Sequence, residues 1–278
     1  MDKIAIISDI HGNLEALKTV LNDINNRGIT KIYCLGDILA KGTHQQECVD
    51  LVREKCDVII KGNCEDFITS NIDYSTFSDI DVKRQVWNKA KINDTTADFL
   101  RNLPYCYEFY MSGRLIRLLH CHPEQIDKFV GNIDKIERLY TLFLPSPNTI
   151  SDKKADILIY GHIHTQYSQK IYNRLIINTG SVGNSIDVFR NDTKDGDVRN
   201  TTNANYLIIS GYLNSKDINT SFSYEFVNIP YDIDKELAGN TDNIELESYS
   251  NELRSGKYRD MAKIYDSFKL RGIDVDKI

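Results

Sequence analysis

Residues 4–21 read IAIISDIHGNLEALKTVL. Ile4 to Ile7 has the length and composition of a short strand. The run stops at Ser8-Asp9-Ile10-His11. Leu14, Leu17, Leu21 and Ile24 then recur at helical spacing, with Asn13 placed to cap the helix and Gly28 to stop it. The same order follows twice more. In KIYCLGDILAKG (31–42), Ile32 to Leu35 runs into Gly36-Asp37, and a helix is predicted over Gln45 to Lys55. In VIIKGNCE (58–65), Val58 to Ile60 leads to Gly62-Asn63. A β-α-β-α-β opening predicts a parallel sheet with helical crossovers.

Further along, Asp81 to Asn102 reads as one or two helices with Asp94 as a cap. Cys106 to Leu119 reads as a hairpin turning at Ser112-Gly113, and Asp134 to Leu144 as a helix. Leu115 to Leu119 runs into His120, and Ile157 to Tyr160 into Gly161-His162-Ile163-His164. Beyond position 161 the strands are predicted to be antiparallel: Gln166 to Ile171 with Leu175 to Asn178, then Tyr206 to Ser210 with Phe222 to Val227. Residues 191–203 are polar and predicted to form a loop. The expected organisation is one domain over 1–231 and a charged helical extension over 232–278 packed on it.

The 278 residues can bury a substantial core. No apolar run reaches membrane-span length, and the start is too acidic and too briefly apolar for a secretory signal. Six cysteines, all in the first half and with no CxxC pair, fit buried thiols in a reduced, cytoplasmic protein. A net charge of −6 argues against general nucleic-acid binding. It leaves room for a nucleotide substrate, because bound metal makes one pocket positive.

Five apolar runs thus each end on an oxygen or nitrogen donor: two carboxylates, one amide and four imidazoles. In open α/β sheets, sites form beyond the carboxyl ends of strands. This donor set suits one or two first-row divalent metals. Four of the six histidines fall at these strand ends. The other two, His44 and His122, lie just beyond the second and fourth strands.

The series D-x-H, G-D, G-N, H, G-H-x-H over residues 9–164 resembles the calcineurin-like metallophosphoesterase superfamily. The resemblance implies an α/β fold, a four-layer αββα sandwich, with a helical C-terminal appendage here. It implies that Asp9, His11 and His164 bind one metal, that Asn63, His120 and His162 bind a second, and that Asp37 bridges them. Mn²⁺ and Fe both fit this ligand set, and Zn²⁺ also. ISDIHGNLEALKTVL and INTGSVGNS (177–185) resemble the small bacterial phosphodiesterase branch, including members similar to asymmetric diadenosine tetraphosphate hydrolase. Thr179 stands where that branch has proline. Two cations sharing a carboxylate supply hydroxide from a bound water near neutral pH and neutralise phosphoryl oxygens as charge builds.

Two departures from the family pattern narrow the expectation. Much of the family has G-N-H-[ED], with a histidine that stabilises the phosphoryl group or protonates the leaving oxygen; here that slot holds Cys64, a small buried thiol or a weak acid. An alkoxide has a conjugate-acid pKa near that of water, ~16, and needs a proton donor. A phosphate has a second pKa of about 6 and leaves without one. A small phosphorylated substrate with a good leaving group, such as a dinucleoside polyphosphate or an activated diester, is therefore expected. Phosphoprotein phosphatases carry GDxVDRG; here GDILAKG puts Ala40 and Lys41 at the D-R positions. Lys41 meets phosphate as a point charge or sits as a solvated loop residue. His44 and His122 are candidates to supply the missing acid, and His44 is also a candidate substrate contact beside Lys41 and Asn13. Asn13 and Asn184 line the pocket or serve as caps. Phosphoprotein phosphatase and noncatalytic scaffold remain the alternatives.

Overall fold

A computed structural model describes residues 1–70, 75, 77–186, 202–259, 262, 266, 269 and 270. The polar stretch at 191–203 lies outside them except for its last two residues, as does most of the extension beyond 259.

β1 (Asp2–Ile7), β2 (Lys31–Cys34) and β3 (Val58–Ile59) pair in parallel, connected by α1 (Leu14–Asn26) and α2 (Gln45–Lys55). The Asn13 side chain accepts from the Ala16 amide and caps α1, while Gly28, at φ +67°, turns the chain out of it. β9 (Ala204–Gly211) and β10 (Ser223–Ile229) extend this sheet in the order β10-β9-β1-β2-β3. The second sheet has the order β4-β5-β6-β8-β7, built from β4 (Cys106–Met111), β5 (Arg114–Leu119), β6 (Ile157–Tyr160), β7 (Tyr167–Ile171) and β8 (Arg174–Asn178). The expected antiparallel pairs β7–β8 and β9–β10 form. β8, however, also lies parallel to β6, because the chain makes the β7 hairpin before returning to the sheet.

The two sheets stack face to face, which explains the continuous apolar runs. Ile4 and Ile6 meet Ile116, Leu118, Ile157 and Ile159 in the core between the sheets. Their neighbours Ala5 and Ile7 face α1 and α2. Leu158 and Tyr160 face the opposite outer layer, which includes α6 (Ile136–Thr141). Alternation persists, but both faces are covered, so four layers result. Between the sheets' sequence blocks lie α3 (Asn63–Thr69), α4 (Asp79–Lys89) and α5 (Asp94–Arg101), the last capped by Asn93 rather than Asp94. The helix α3 was not predicted, because its seven residues are too few for a periodic pattern.

α7 (Ile233–Ala238) and α8 (Leu246–Ser255) form the C-terminal appendage. Asn240 Oδ1 accepts from the Thr43 amide (2.7 Å), and Asn243 Nδ2 donates to the Lys41 carbonyl (2.7 Å). The appendage is thereby stitched to the loop that follows β2. No helix among the described residues is long and apolar enough to cross a membrane.

One charge lies fully inside the second layer. Arg117 on β5 is completely buried, donates to Glu108 Oε1 at 2.6 Å, and also donates to the carbonyls of Phe143, Leu144 and Lys153. Glu108→Ala strands that guanidinium. We expect about 3–5 kcal/mol of lost stability in a guanidinium chloride unfolding curve, and a loss under about 1 kcal/mol would contradict the assignment.

Candidate metal centre

Each ligand candidate stands just past a strand end. Asp9 and His11 follow β1, Asp37 follows β2, and Asn63 follows β3 as the first residue of α3. His120 follows β5, and His162 and His164 follow β6. The first four come from one sheet and the last three from the other. Five of the seven have positive φ: Asp9 55°, His11 52°, Asp37 51°, His162 67° and His164 62°. Asp and His tolerate this left-handed region better than most residues, but it still costs energy that the surroundings must offset.

The surroundings do so with backbone bonds between loops. The amides of Ile10 and His11 donate to the Asp37 carbonyl at 2.8 and 3.0 Å. Val182 and Gly183 donate to the carbonyls of Ser8 and Asp9, and Ser181 Oγ donates to Asp9 O at 2.7 Å. A Cβ on Gly161 would lie 2.1 Å from Ser8 Oγ and 2.4 Å from Asp9 Oδ2, so only glycine lets the two sheets' strand ends approach this closely.

Two clusters carry the expected ligands, Asp9–His11–His164, which is buried, and Asp37–His120–His162, in which His162 is partly exposed; His11, Asp37 and Cys64 form a third group between them. In the first, His11 Nε2 and His164 Nε2 are 3.0 Å apart. The other ring nitrogens face carbonyls, His11 Nδ1 that of Leu39 (3.0 Å) and His164 Nδ1 that of Asn184 (2.5 Å). A carbonyl only accepts, so each Nδ1 carries the hydrogen. Each Nε2 then presents a lone pair when the ring is neutral. Burial, with Lys41 nearby, lowers the His11 pKa to about 3, so that ring is neutral. Asp9 Oδ1 lies 3.3 Å from His164 Nε2 and is buried without a hydrogen-bond partner. Lone pairs and an orphaned carboxylate oxygen converging on one point are the donor set of a cation site.

In the second cluster, Asn63 Oδ1 lies 3.0 Å from His120 Nε2 and 2.8 Å from His162 Nδ1. Asp37 Oδ2 is 3.4 Å from His120 Nε2 and 3.9 Å from His11 Nε2, between the two clusters. The residues present fit two cations sharing Asp37. Burial opposes ionisation of Asp37, but His120, His11 and the Cys64 amide outweigh it and hold the carboxylate ionised. Burial likewise opposes the charged form of His120. Asp37 and Asp9 overcome it and push the pKa up to about 9.

Glu65 carries weight that the sequence reading left unassigned. Its buried carboxylate accepts four amides: Asp37 at 2.7 Å, Ile38 at 2.8 Å, Leu39 at 3.2 Å and Gly62 at 2.9 Å. It clamps the Asp37 loop to the start of α3. Burial and Asp37 raise its pKa to about 7, while the amide donors favour the charged form. The only sequence trace was its place three residues after the cap Gly62.

The clusters open into a cavity of 210 Å³ lined also by Lys41, Cys64, Phe129 and Tyr258. Cys64 Sγ donates to Asp37 Oδ2 at 3.1 Å, and burial and Asp37 push its pKa well up, so the thiol stays protonated and committed. Lys41 Nζ donates to Asn184 Oδ1 at 2.6 Å and lies 3.6 Å from Glu252. Asn184, which holds Lys41, is not itself in the lining, and three further candidates also lie outside it. Asn13 spends its amide on Gly183 O and the Tyr231 hydroxyl. His44 lies at the N-terminus of α2, 3.6 Å from Glu47. His122 is buried, with Nε2 at Thr141 Oγ1 and Nδ1 accepting from the Glu124 amide, and burial lowers its pKa to about 4. Neither histidine takes the place of the missing acid, because the turns that follow β2 and β5 carry them away from the cavity.

Two outcomes follow from this geometry. Below about pH 9 metal-free His120 holds a proton that a cation must displace, so metal affinity should climb with pH, by up to about tenfold per unit, and level off above pH 9. Titration calorimetry in buffers of different ionisation enthalpy reads that proton directly; a pH-independent affinity would contradict it. Glu65→Ala should lower metal affinity by roughly 10–100-fold and also reduce Tm, since it removes the acceptor of four buried amides.

Residues 2–195 match the family model of the calcineurin-like phosphoesterase superfamily domain. An uncharacterized protein of Methanocaldococcus jannaschii, MJ0912, is 32% identical over 237 residues, covering 84% of this chain and 89% of its own. The crystal structure of a metallophosphoesterase from Sphaerobacter thermophilus superposes with a TM-score of 0.65 at 22% identity, covering 92% of this chain and 99% of its own. That of hypothetical protein PH1004 from Pyrococcus horikoshii OT3 gives 0.65 at 16% identity, covering 91% and 96%. These two share the fold. With seven oxygen and nitrogen donors gathered where two sheets end, the chain belongs to the calcineurin-like phosphoesterase superfamily.

Proposed function

We propose that the protein hydrolyses phosphodiester or phosphoanhydride bonds of small, nucleotide-like substrates with the help of two divalent metal ions. The observation that carries this is the pair of donor clusters sharing Asp37 at the floor of an open cavity. Asp9, His11 and His164 would hold one ion, Asn63, His120 and His162 the other, with Asp37 between them. Such a pair supplies an activated water and neutralises phosphoryl oxygens. Mn²⁺ or Fe suits the set best, and Zn²⁺ is compatible with it.

The chain's own groups do the rest. Asp37 stays ionised under the Glu65 clamp. Backbone carbonyls fix the ring orientations of His11, His120 and His164, so that Nε2 faces the centre. Lys41, steadied by Asn184 and Glu252, meets a phosphoryl oxygen as a point charge.

The choice of bond follows from the proton supply. Cys64 holds its proton toward Asp37, and His44 and His122 lie away from the cavity. Leaving groups that depart without a proton are therefore favoured, which supports the likeness to the dinucleoside polyphosphate and phosphodiester branch over a phosphoprotein phosphatase.

With added Mn²⁺, a dinucleoside tetraphosphate and an activated aryl diester should turn over at least about tenfold faster in kcat/KM than an alkyl phosphomonoester or a phosphoserine peptide. Faster turnover of the last two would overturn the substrate class. Asp37→Asn should cost more than the roughly 10–100-fold typical of outer-shell changes around a metal. Turnover that survives both this variant and exhaustive chelation would overturn the metal reading.

A further inference from the structure

Beside the metal cavity lies a second one, of 160 Å³. Lys41 and Tyr258 line both, so the two share a wall. Trp87 and Asn88 on α4 line the second cavity, with Arg84 and Arg259. We propose that this second cavity is a subsite for a neutral, nucleobase-sized aromatic ring, carried by a substrate whose phosphate sits in the metal cavity. The proposal rests on the phosphoesterase reading above and deepens it.

Size is the first argument. An apolar cavity of about 150 Å³ admits a benzene-sized ring, so 160 Å³ gives room for one planar ring of that size.

Charge is the second. Three cations line the cavity, and each is already matched. Arg84 makes two bonds of 2.6 Å to Glu245 and one of 2.7 Å to Asp81. Arg259 donates to Glu252 at 2.8 and 2.9 Å and lies 3.1 Å from Glu245. Lys41 is held by Asn184 and Glu252. Three positive groups face three carboxylates. A second anion would have to break one of these partly buried pairs, leaving a carboxylate without its partner. A neutral ring leaves them intact.

The lining chemistry is the third. Trp87 Nε1 donates to the Asp242 carbonyl at 3.1 Å, which fixes the indole, and Tyr258 adds a second aromatic side chain. Flat aromatic groups stack on the face of any base. Asn88 Oδ1 accepts from Gln45 Nε2 at 2.7 Å. Its two N–H donors make no hydrogen bond to any described residue, and they suit ring nitrogen or carbonyl acceptors.

Trp87 is the chain's only tryptophan, so it reports on the subsite by itself. The Mn²⁺-loaded full chain would be titrated with adenosine 5′-monophosphate and, separately, with ribose 5-phosphate, which has the phosphate and sugar but no base. We expect the nucleotide to bind at least about tenfold tighter and to quench Trp87 saturably, and ribose 5-phosphate to leave the fluorescence unchanged. Trp87→Leu, followed by equilibrium dialysis, should bring the two affinities to within about threefold. Equal affinities in the natural chain, or a Trp87 signal that does not respond to the nucleotide, would overturn the subsite. A chain that binds the nucleotide in this way yet hydrolyses no phosphodiester or anhydride would keep the subsite and overturn the function proposed for the metal centre.

Discussion

Asp37 is the point on which the two halves of the sandwich depend. Its carboxylate faces donors from both sheets, while its own loop is held by the backbone of one. The amides of Ile10 and His11 reach its carbonyl, and Glu65 takes its amide and the next two. Across the interface, His120 Nδ1 donates to the Leu35 carbonyl at 3.0 Å. One loop therefore sets the spacing of two donor clusters that no single sheet could supply. The glycines at 62 and 161 serve the same constraint: a Cβ on either would strike an aspartate oxygen of the site.

The cost of this arrangement is visible in the backbone. Ten non-glycine residues have positive φ among those described, and seven of them are Asp9, His11, Asp37, Ala40, Lys41, His162 and His164. Such conformations persist where surrounding bonds over-determine them. Here the over-determination comes from far along the chain: 181–184 brace Asp9 and His164, and Asn243 holds the Lys41 carbonyl. The C-terminal helices are thus joined to the rim of the cavity through Lys41, Glu252 and Arg259.

Much of this was readable in advance. The five apolar runs are strands, α1 and α2 start where expected, and the seven donor residues come together, Asn63 through His120 and His162. Short apolar strands followed by Gly, Asp, Asn or His carry a local signal because strand period and turn chemistry are local properties. Two single-residue assignments did not transfer: His44 and His122 lie on turns that lead away from the cavity, while Asn13 takes the capping role read for it and not the pocket role. Residue type and nearness to a strand end do not fix the direction of a side chain.

The sequence by itself determined the donor inventory, the order of the strands that present it, and the loss of the histidine at position 64, because each is written in consecutive residues. Only the tertiary structure decided that the strands divide into two stacked sheets, that Glu65 clamps the Asp37 loop, and that the Cys64 thiol donates a hydrogen bond to Asp37. It alone brought Trp87, Tyr258 and Arg259, drawn from separate parts of the chain, around a second cavity. Those relations join residues tens to hundreds of positions apart, and packing, not pattern, brings such residues into contact.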